Sequence, residues 1–487
     1  MDRDEREAVM RRTAAFAARF ACRTARRTAR RNACRTARRN ACRTACRTAC
    51  RNARRAAPWT GWRYAAVLAV AAALPAARAD TLATIIQEDH LGVATCATSQ
   101  CHGKSRVHEG RNVQLNEYTI WADSDRHSIA YRTLESEESR SMARKLGIGD
   151  PTSEALCLDC HADNVPAGKR GPKFQPSDGV GCEGCHGGSG RYIETHTNRN
   201  TTHAENLAAG MVATERADVR AEVCLSCHLG TKDKFASHRL MAAGHPRLVF
   251  ELDLFTANQP AHYTVDADYR ERKGRVAQHR LWLIGQVTQL RRQLEVAREL
   301  LGTSGGGLPE LALFDCHSCH HSMDELRWTR KRADGLEPGS LRLHLPNMVV
   351  LRAIAGAFDE QALVDGLNEA HRATLRGAQS GPDAFASAVE RLLGVLDTAA
   401  ESFSRPMNVA DVARLRLALL QAAAADEASD YAEAEQIYFG VENLCNALNE
   451  VDRCGPALDR LFDTVADADA YRPSVFARTA NELVQAF

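Results

Sequence analysis

Apolar residues fall into three regimes along the chain. In residues 1–57, Arg, Thr, Ala and Cys recur with a four-residue period: RTARRNAC at Arg27–Cys34 repeats as Arg35–Cys42, and RTAC follows twice, ending at Cys46 and Cys50. A segment with so little to bury forms no core. Thr81–Leu248 has little continuous apolar pattern and is interrupted by turn-forming stretches at Pro166–Pro176 and Gly179–Gly190. Loops and short helices are predicted there, with Ser136–Leu146 a surface helix. Further on, Val276, Leu283, Val287, Leu290, Leu294 and Val296 recur at helical spacing among Arg and Gln. One long amphipathic helix is predicted over Tyr269–Leu301, ended by Gly302–Pro309. Val349–Leu375, Pro382–Phe403, Asn408–Ala425 and Asp430–Asn449 continue the pattern, so Leu345–Phe487 reads as a small helical bundle.

A leader separates the first two regimes. Trp59–Asp80 reads WTGWRYAAVLAVAAALPAARAD, with Arg54, Arg55 and Arg63 before the apolar run Tyr64–Leu74. The run is short for a membrane span. Ala77-Arg78-Ala79 has the small-residue pattern of a cleavage site, so residues 58–79 read as a signal peptide and Asp80 as the first mature residue. An uncleaved leader would be the only link to a membrane. The tract before it (1–57) is read as translated upstream repeat or an early start rather than a basic tail.

Removing the leader changes the charge. Of 63 basic and 61 acidic residues, residues 1–79 hold 20 and 4, which leaves 43 basic and 57 acidic and a balance near −14. That argues against nucleic acid as a partner and suits docking to basic patches on redox proteins.

Ten of the 17 cysteines stand in five short motifs. Four are Cys-x-x-Cys-His: Cys157, Cys160 and His161; Cys182, Cys185 and His186; Cys224, Cys227 and His228; Cys316, Cys319 and His320. The fifth, CATSQCH, comes first and is wider: Cys96, Cys101 and His102. Two thiols a turn apart can form thioethers to the two vinyl groups of one haem, and the histidine that follows points at the iron. Zinc sites, redox dithiols and disulfides have no need of that histidine. About five covalent haems c are implied, with the porphyrins supplying much of the apolar interior. Attachment and folding should then be coupled. Haem c is attached outside the cytoplasmic membrane, which agrees with an exported, periplasmic chain.

The expected fold is mainly α. Residues 80–345 form a loop-rich multihaem domain with a haem-dominated core, and residues 346–487 a helical C-terminal domain. Cys445 and Cys454, nine residues apart, either pair or remain buried thiols.

The order of motifs resembles the multihaem c-type cytochromes of the cytochrome c-554 type. The carriers of the likeness are Trp121–His127 followed by Ser128-Ile-Ala130, the GVGCE-x-CHG block at Gly179–Gly187, His196 in RYIETH, and Cys224–Leu229. Together they cover residues 93–230. An AGHPRL-x-FEL block, here Ala243–Leu252, resembles pentahaem-like relatives. The resemblance implies His196 as distal ligand opposite His102 and His127 opposite His186, and allows the haem on His161 to lack a strong sixth ligand. For the fourth and fifth haems the candidates are His238, His245 and His262. His238 and His245 are seven residues apart, with Pro246 placing the latter at a helix end or turn. The other histidines (His90, His108, His203, His279, His317, His321, His344 and His371) read as surface or hydrogen-bonded groups. No methionine is singled out by spacing.

Two functions from different classes follow. One is an electron carrier that passes charge between redox protein donors and acceptors, a membrane quinol oxidoreductase being one candidate partner. The alternative is an oxidoreductase acting on a small nitrogen or sulfur compound at one open haem. No Cys-x-x-Cys-Lys motif marks such a site, and carrier is the preferred reading. The haem-free C-terminal region could also serve as a docking module.

Overall fold

Apolar periodicity becomes helix where expected, with ends set by local backbone chemistry. The computed structural model describes residues 81–107, 113–198, 200–274, 276–302, 309–320, 334–425, 428, 430–485 and 487. The leader (1–57), the signal peptide (58–79), His108 and His321 lie outside the described residues. The structure is mainly helical, and among the described residues β pairing is limited to isolated bridges such as Phe314 with Leu343. No described helix is long and apolar enough to cross a membrane.

Four predicted segments agree closely. Pro382–Phe403 is one helix with Pro382 in its first turn. Asn408 and Asp430 each close a capping box, opening the helices Val409–Ala424 and Tyr431–Ala447. Ser136 caps Glu137–Leu146, whose Ala143 and Leu146 are buried. Two predictions change. The helix expected over Tyr269–Leu301 is two, Ala267–Lys273 and Gln278–Gly302. Gly274 between them has φ 72°, a left-handed conformation that ends the first helix. Val349–Leu375 likewise divides into Asn347–Ala357 and Gln361–Ser380, with Asp359 at φ 58° in the break.

Thr81–Phe487 packs as one unit, so the boundary expected at residues 345/346 falls inside it. One large apolar core dominates. Trp282, Leu283, Leu290 and Leu294 of the Gln278–Gly302 helix pack there with Met348, Ile354, Leu396, Leu419, Ile437 and Phe476 of the later helices. The motif-rich part holds only small clusters, for example Ile85, Val212 and Val223, or Leu134, Leu158 and Ala162.

Buried polar groups tie the two parts together. Asn347 Nδ2 donates to Gln286 Oε1 (2.7 Å), Gln286 Nε2 to Gln436 Oε1 (2.9 Å), and Gln436 Nε2 to the Phe250 carbonyl (3.0 Å). The segment before the fifth motif joins the large core through Leu313 and Phe314. Asp315 N donates to the Arg342 carbonyl (2.8 Å) and His344 N to the Leu313 carbonyl (2.9 Å). Cys445 and Cys454 form a disulfide, which decides between the two states left open by their spacing.

Candidate metal centres

Each motif folds so that its histidine returns over its first cysteine. His186 N bonds the Cys182 carbonyl (2.9 Å), and His320 N the Cys316 carbonyl (2.7 Å). His161 and His228 end the helices Ala155–His161 and Ala217–His228. The wide first motif reaches the same end by another route. A turn at Thr98, whose carbonyl accepts from Cys101 N and Gly103 N (both 2.9 Å), absorbs the two extra residues, and His102 N still bonds the Cys96 carbonyl (3.1 Å).

All five motif histidines face a second histidine. Ring centroids are 6.3 Å apart for His102 and His196, 6.4 Å for His161 and His245, and 6.1 Å for His186 and His262. They are 6.3 Å apart for His127 and His228, and 6.2 Å for His238 and His320. Two imidazole nitrogens each about 2 Å from one metal put their ring centroids about 6 Å apart. The separation fits one iron between each pair of rings, and the adjacent cysteines fit covalent attachment of its porphyrin. The ring planes are nearly parallel in the first pair (9°), 38° apart in the fifth, and close to perpendicular (85–89°) in the other three.

Several of these rings are aimed through Nδ1. His102 Nδ1 donates to Glu117 Oε2 (2.9 Å), and His127 Nδ1 to Asp125 Oδ1 (2.8 Å). Carbonyls do the same for others: Ala130 for His161 (3.1 Å), Pro246 for His245 (2.8 Å), and Tyr192 with Ile193 for His196 (both 3.1 Å). With Nδ1 committed as donor, Nε2 remains for a metal. Asp125 is buried, which alone would push its carboxyl up. Hydrogen bonds from His127 and from Gln259 Nε2 (3.1 Å) outweigh that and hold it below the usual range. His228 is pushed down to about 4 and His186 to about 3, in both cases chiefly by burial. Both are therefore neutral imidazoles, the form that binds iron.

The pairing departs from that implied by the resemblance at two centres. His127 faces His228, while His186 faces His262. The main chain of His127 does lie beside the third motif, its carbonyl accepting from Val180 N (3.0 Å). Gly179 (φ 77°) makes that approach possible, since a Cβ there would lie 2.4 Å from the same carbonyl. The Asp125 carboxylate then turns the imidazole away, toward the fourth motif. The second centre, which the resemblance allowed to stay open, has His245 opposite His161. Gly244 (φ 127°) ends the His238–Ala243 helix, so His238 and His245 leave one face and meet different motif histidines, His320 and His161.

The motifs meet in pairs. Cys96 lies against Cys182, and Cys160 against Cys227, joining the first motif to the third and the second to the fourth. The fifth stands apart, on the C-terminal helices: its internal His317 donates Nε2 to the Ala468 carbonyl (2.9 Å) and packs beside Tyr431 and Tyr471.

Three of the remaining described histidines have other partners or burial. His203 Nε2 bonds Glu215 (2.7 Å), and His371 is buried in the bundle beside Arg352. His90 is fully buried, donating from Nδ1 to Asp163 (2.7 Å) and from Nε2 to the Ile85 carbonyl (2.9 Å). Nearby Glu183, from the CEGCH motif, accepts from Leu91 N, Gly92 N, and Ser189 N and Oγ. With both His90 nitrogens donating, this cluster is a clamp that holds the N-terminal segment to the third motif.

Sequence reasoning missed Asp125 and Glu117. Asp125 carried a usable signal, an acid two residues before a candidate ligand; Glu117 is fifteen residues from His102 and carried none.

Residues 95–187 match the family model described as cytochrome c554 and c-prime. No curated protein and no solved structure matches the chain. The family match spans the first three motifs and supports a c-type cytochrome with covalently bound haem c and a role in electron transfer.

Proposed function

We propose that this chain is an exported, multihaem c-type cytochrome that relays electrons between redox proteins through five haems. The observation that carries the reading is the set of five opposed histidine pairs, each beside a cysteine pair and each with centroids 6.1–6.4 Å apart. Haem c supplies a one-electron Fe(III)/Fe(II) couple when bound. The pairs are His102 with His196, His161 with His245, His186 with His262, His228 with His127, and His320 with His238. Two opposed imidazoles would hold each iron in either oxidation state, so little would have to reorganise when charge passes. Glu117 and Asp125 hold their histidines by charge-assisted hydrogen bonds and make them stronger donors to iron. The contacts between motifs (Cys96 with Cys182, Cys160 with Cys227) bring attachment sites close enough for cofactors packed edge to edge.

An iron reserved for a small substrate would need one motif histidine without an opposed ring. Each has one, which favours a carrier over an oxidoreductase. The acidic balance of residues 80–487 suits basic docking patches on donor and acceptor proteins.

Intact mass and ferric EPR of the purified protein test the reading. The expected result is a chain beginning at Asp80 with five haems, all low-spin. Fewer than five haems, or a high-spin iron that turns over nitrite or hydroxylamine, would overturn it.

A further inference from the structure

One short stretch, Ser237–His245, carries the histidines opposite two different motifs. His238 near its start faces His320, and His245 at its end faces His161. Between them runs a single helix of six residues, His238–Ala243, closed by Gly244. A helix that short does not hold itself, so its place depends on contacts from outside.

Both ends have such contacts, and they come from different parts of the chain. At the His245 end, Lys145 Nζ donates to the Ala243 carbonyl (2.9 Å), and Arg239 Nη2 donates to the Leu146 carbonyl (2.5 Å). The helices Glu137–Leu146 and His238–Ala243 thus cap each other's last turns.

At the His238 end the contact is a carboxylate. Glu310 Oε1 accepts from His238 N (2.7 Å) and from Ala312 N (2.9 Å). The first amide belongs to the opening turn of the helix, where no intrahelical acceptor exists and negative charge is favoured. Ser237 Oγ takes the Leu240 amide of the same turn (3.2 Å). The second amide lies in the turn Leu311–Leu313, which leads through Phe314 and Asp315 into Cys316. Leu313 and Phe314 are anchored in the large apolar core. One carboxylate oxygen therefore ties the main chain at His238 to the run that enters the fifth motif, although Glu310 and His238 are 72 residues apart in the chain.

We propose that Glu310 is the positioning residue of the fifth centre: it sets the main chain of His238 so that the ring stands opposite His320. The proposal rests on the five-haem reading. Lys145 and Arg239 fix the other end of the same stretch independently. Loss of Glu310 therefore frees the His238 end while His245 keeps its place opposite His161, and the effect is confined to one centre of the five.

Ferric EPR and carbon monoxide titration of the reduced, full holoprotein, with haem counted by mass, provide the test. Glu310→Ala is expected to keep five haems, to turn at most one fifth of the iron high-spin and to bind at most one carbon monoxide per chain, where the wild type binds none. Adding His238→Ala is expected to bring the high-spin share to one fifth and no further. Glu310→Gln, which keeps an oxygen at the same reach, is expected to match wild type. Glu310→Ala with every iron low-spin and no carbon monoxide bound, a high-spin share above one fifth in the double variant, or a Gln variant as open as the Ala variant would overturn the proposal. If Glu310→Ala fails to mature, Glu310→Asp, whose arm is one carbon shorter, decides by the same criteria. Fewer than five haems, or an open iron, in the wild type would instead overturn the relay reading beneath it.

Discussion

His127 stands opposite His228 with ring centroids 6.3 Å apart and planes at 89°, although its own carbonyl is hydrogen-bonded to Val180 beside the third motif. Backbone and side chain of one residue thus contact two different motifs. His127→Ala should therefore open the fourth iron and leave the third low-spin. Ferric EPR should gain one high-spin signal. Adding Cys224→Ser and Cys227→Ser, which removes the fourth attachment site, should abolish that signal. Its persistence would pair His127 with a different iron.

Relative ring orientation gives a second expectation. Perpendicular imidazole planes leave the two iron dπ orbitals that interact with them nearly equal in energy, whereas parallel planes split them. The pairs at 85–89° (His127 with His228, His161 with His245, His186 with His262) should give three strongly anisotropic low-spin signals. The pair His102 with His196, at 9°, should give an ordinary rhombic one. A spectrum in which every signal is rhombic would contradict these orientations.

Asp125 and Glu117 should act on potential rather than on haem content. A carboxylate that accepts Nδ1–H makes the imidazole a stronger donor and favours Fe(III). Asp125→Asn should raise the potential of the iron held by His127 and His228, and Glu117→Gln that of the iron held by His102 and His196. In each case one fifth of the titration should move upward with all haems retained. Unmoved potentials in both variants would show that these carboxylates only orient the rings.

Two buried carboxyls give the fold a pH dependence. Glu251 is pushed up to about 8 and Asp253 to about 6, in both cases first by burial, and for Glu251 also by the neighbouring Asp253 charge. Both folded values lie above those of an unfolded chain, about 4. Their contribution to stability is full below about pH 4 and is lost as pH rises through about 6 and then about 8. The melting temperature should fall between pH 5 and pH 8. Glu251→Gln, which removes the titrating group and keeps one of the two oxygens that accept from Asp253 N and Leu254 N, should flatten that fall. An equally steep fall in the variant would assign it to other groups.

Cysteine and histidine spacing reveals attachment chemistry because both ends of a Cys-x-x-Cys-His motif lie within one turn. The return of each motif histidine over its own first cysteine was legible for that reason, as were the helices Pro382–Phe403 and Tyr431–Ala447, whose periodicity and caps are local properties. The choice of opposed histidine was not. His127 and His228 are a hundred and one residues apart in the chain, and what joins them is the Gly179–Val180 approach to the His127 main chain and the buried Asp125 that turns its ring. The break at Gly274, and the seating of the fifth motif on the C-terminal helices through His317, Tyr431 and Tyr471, likewise depend on contacts between distant segments. Sequence by itself determined which side chains are candidates to bind iron and where most of the helices run; tertiary structure decided which imidazoles face each other, because that depends on side-chain direction and long-range packing rather than on spacing.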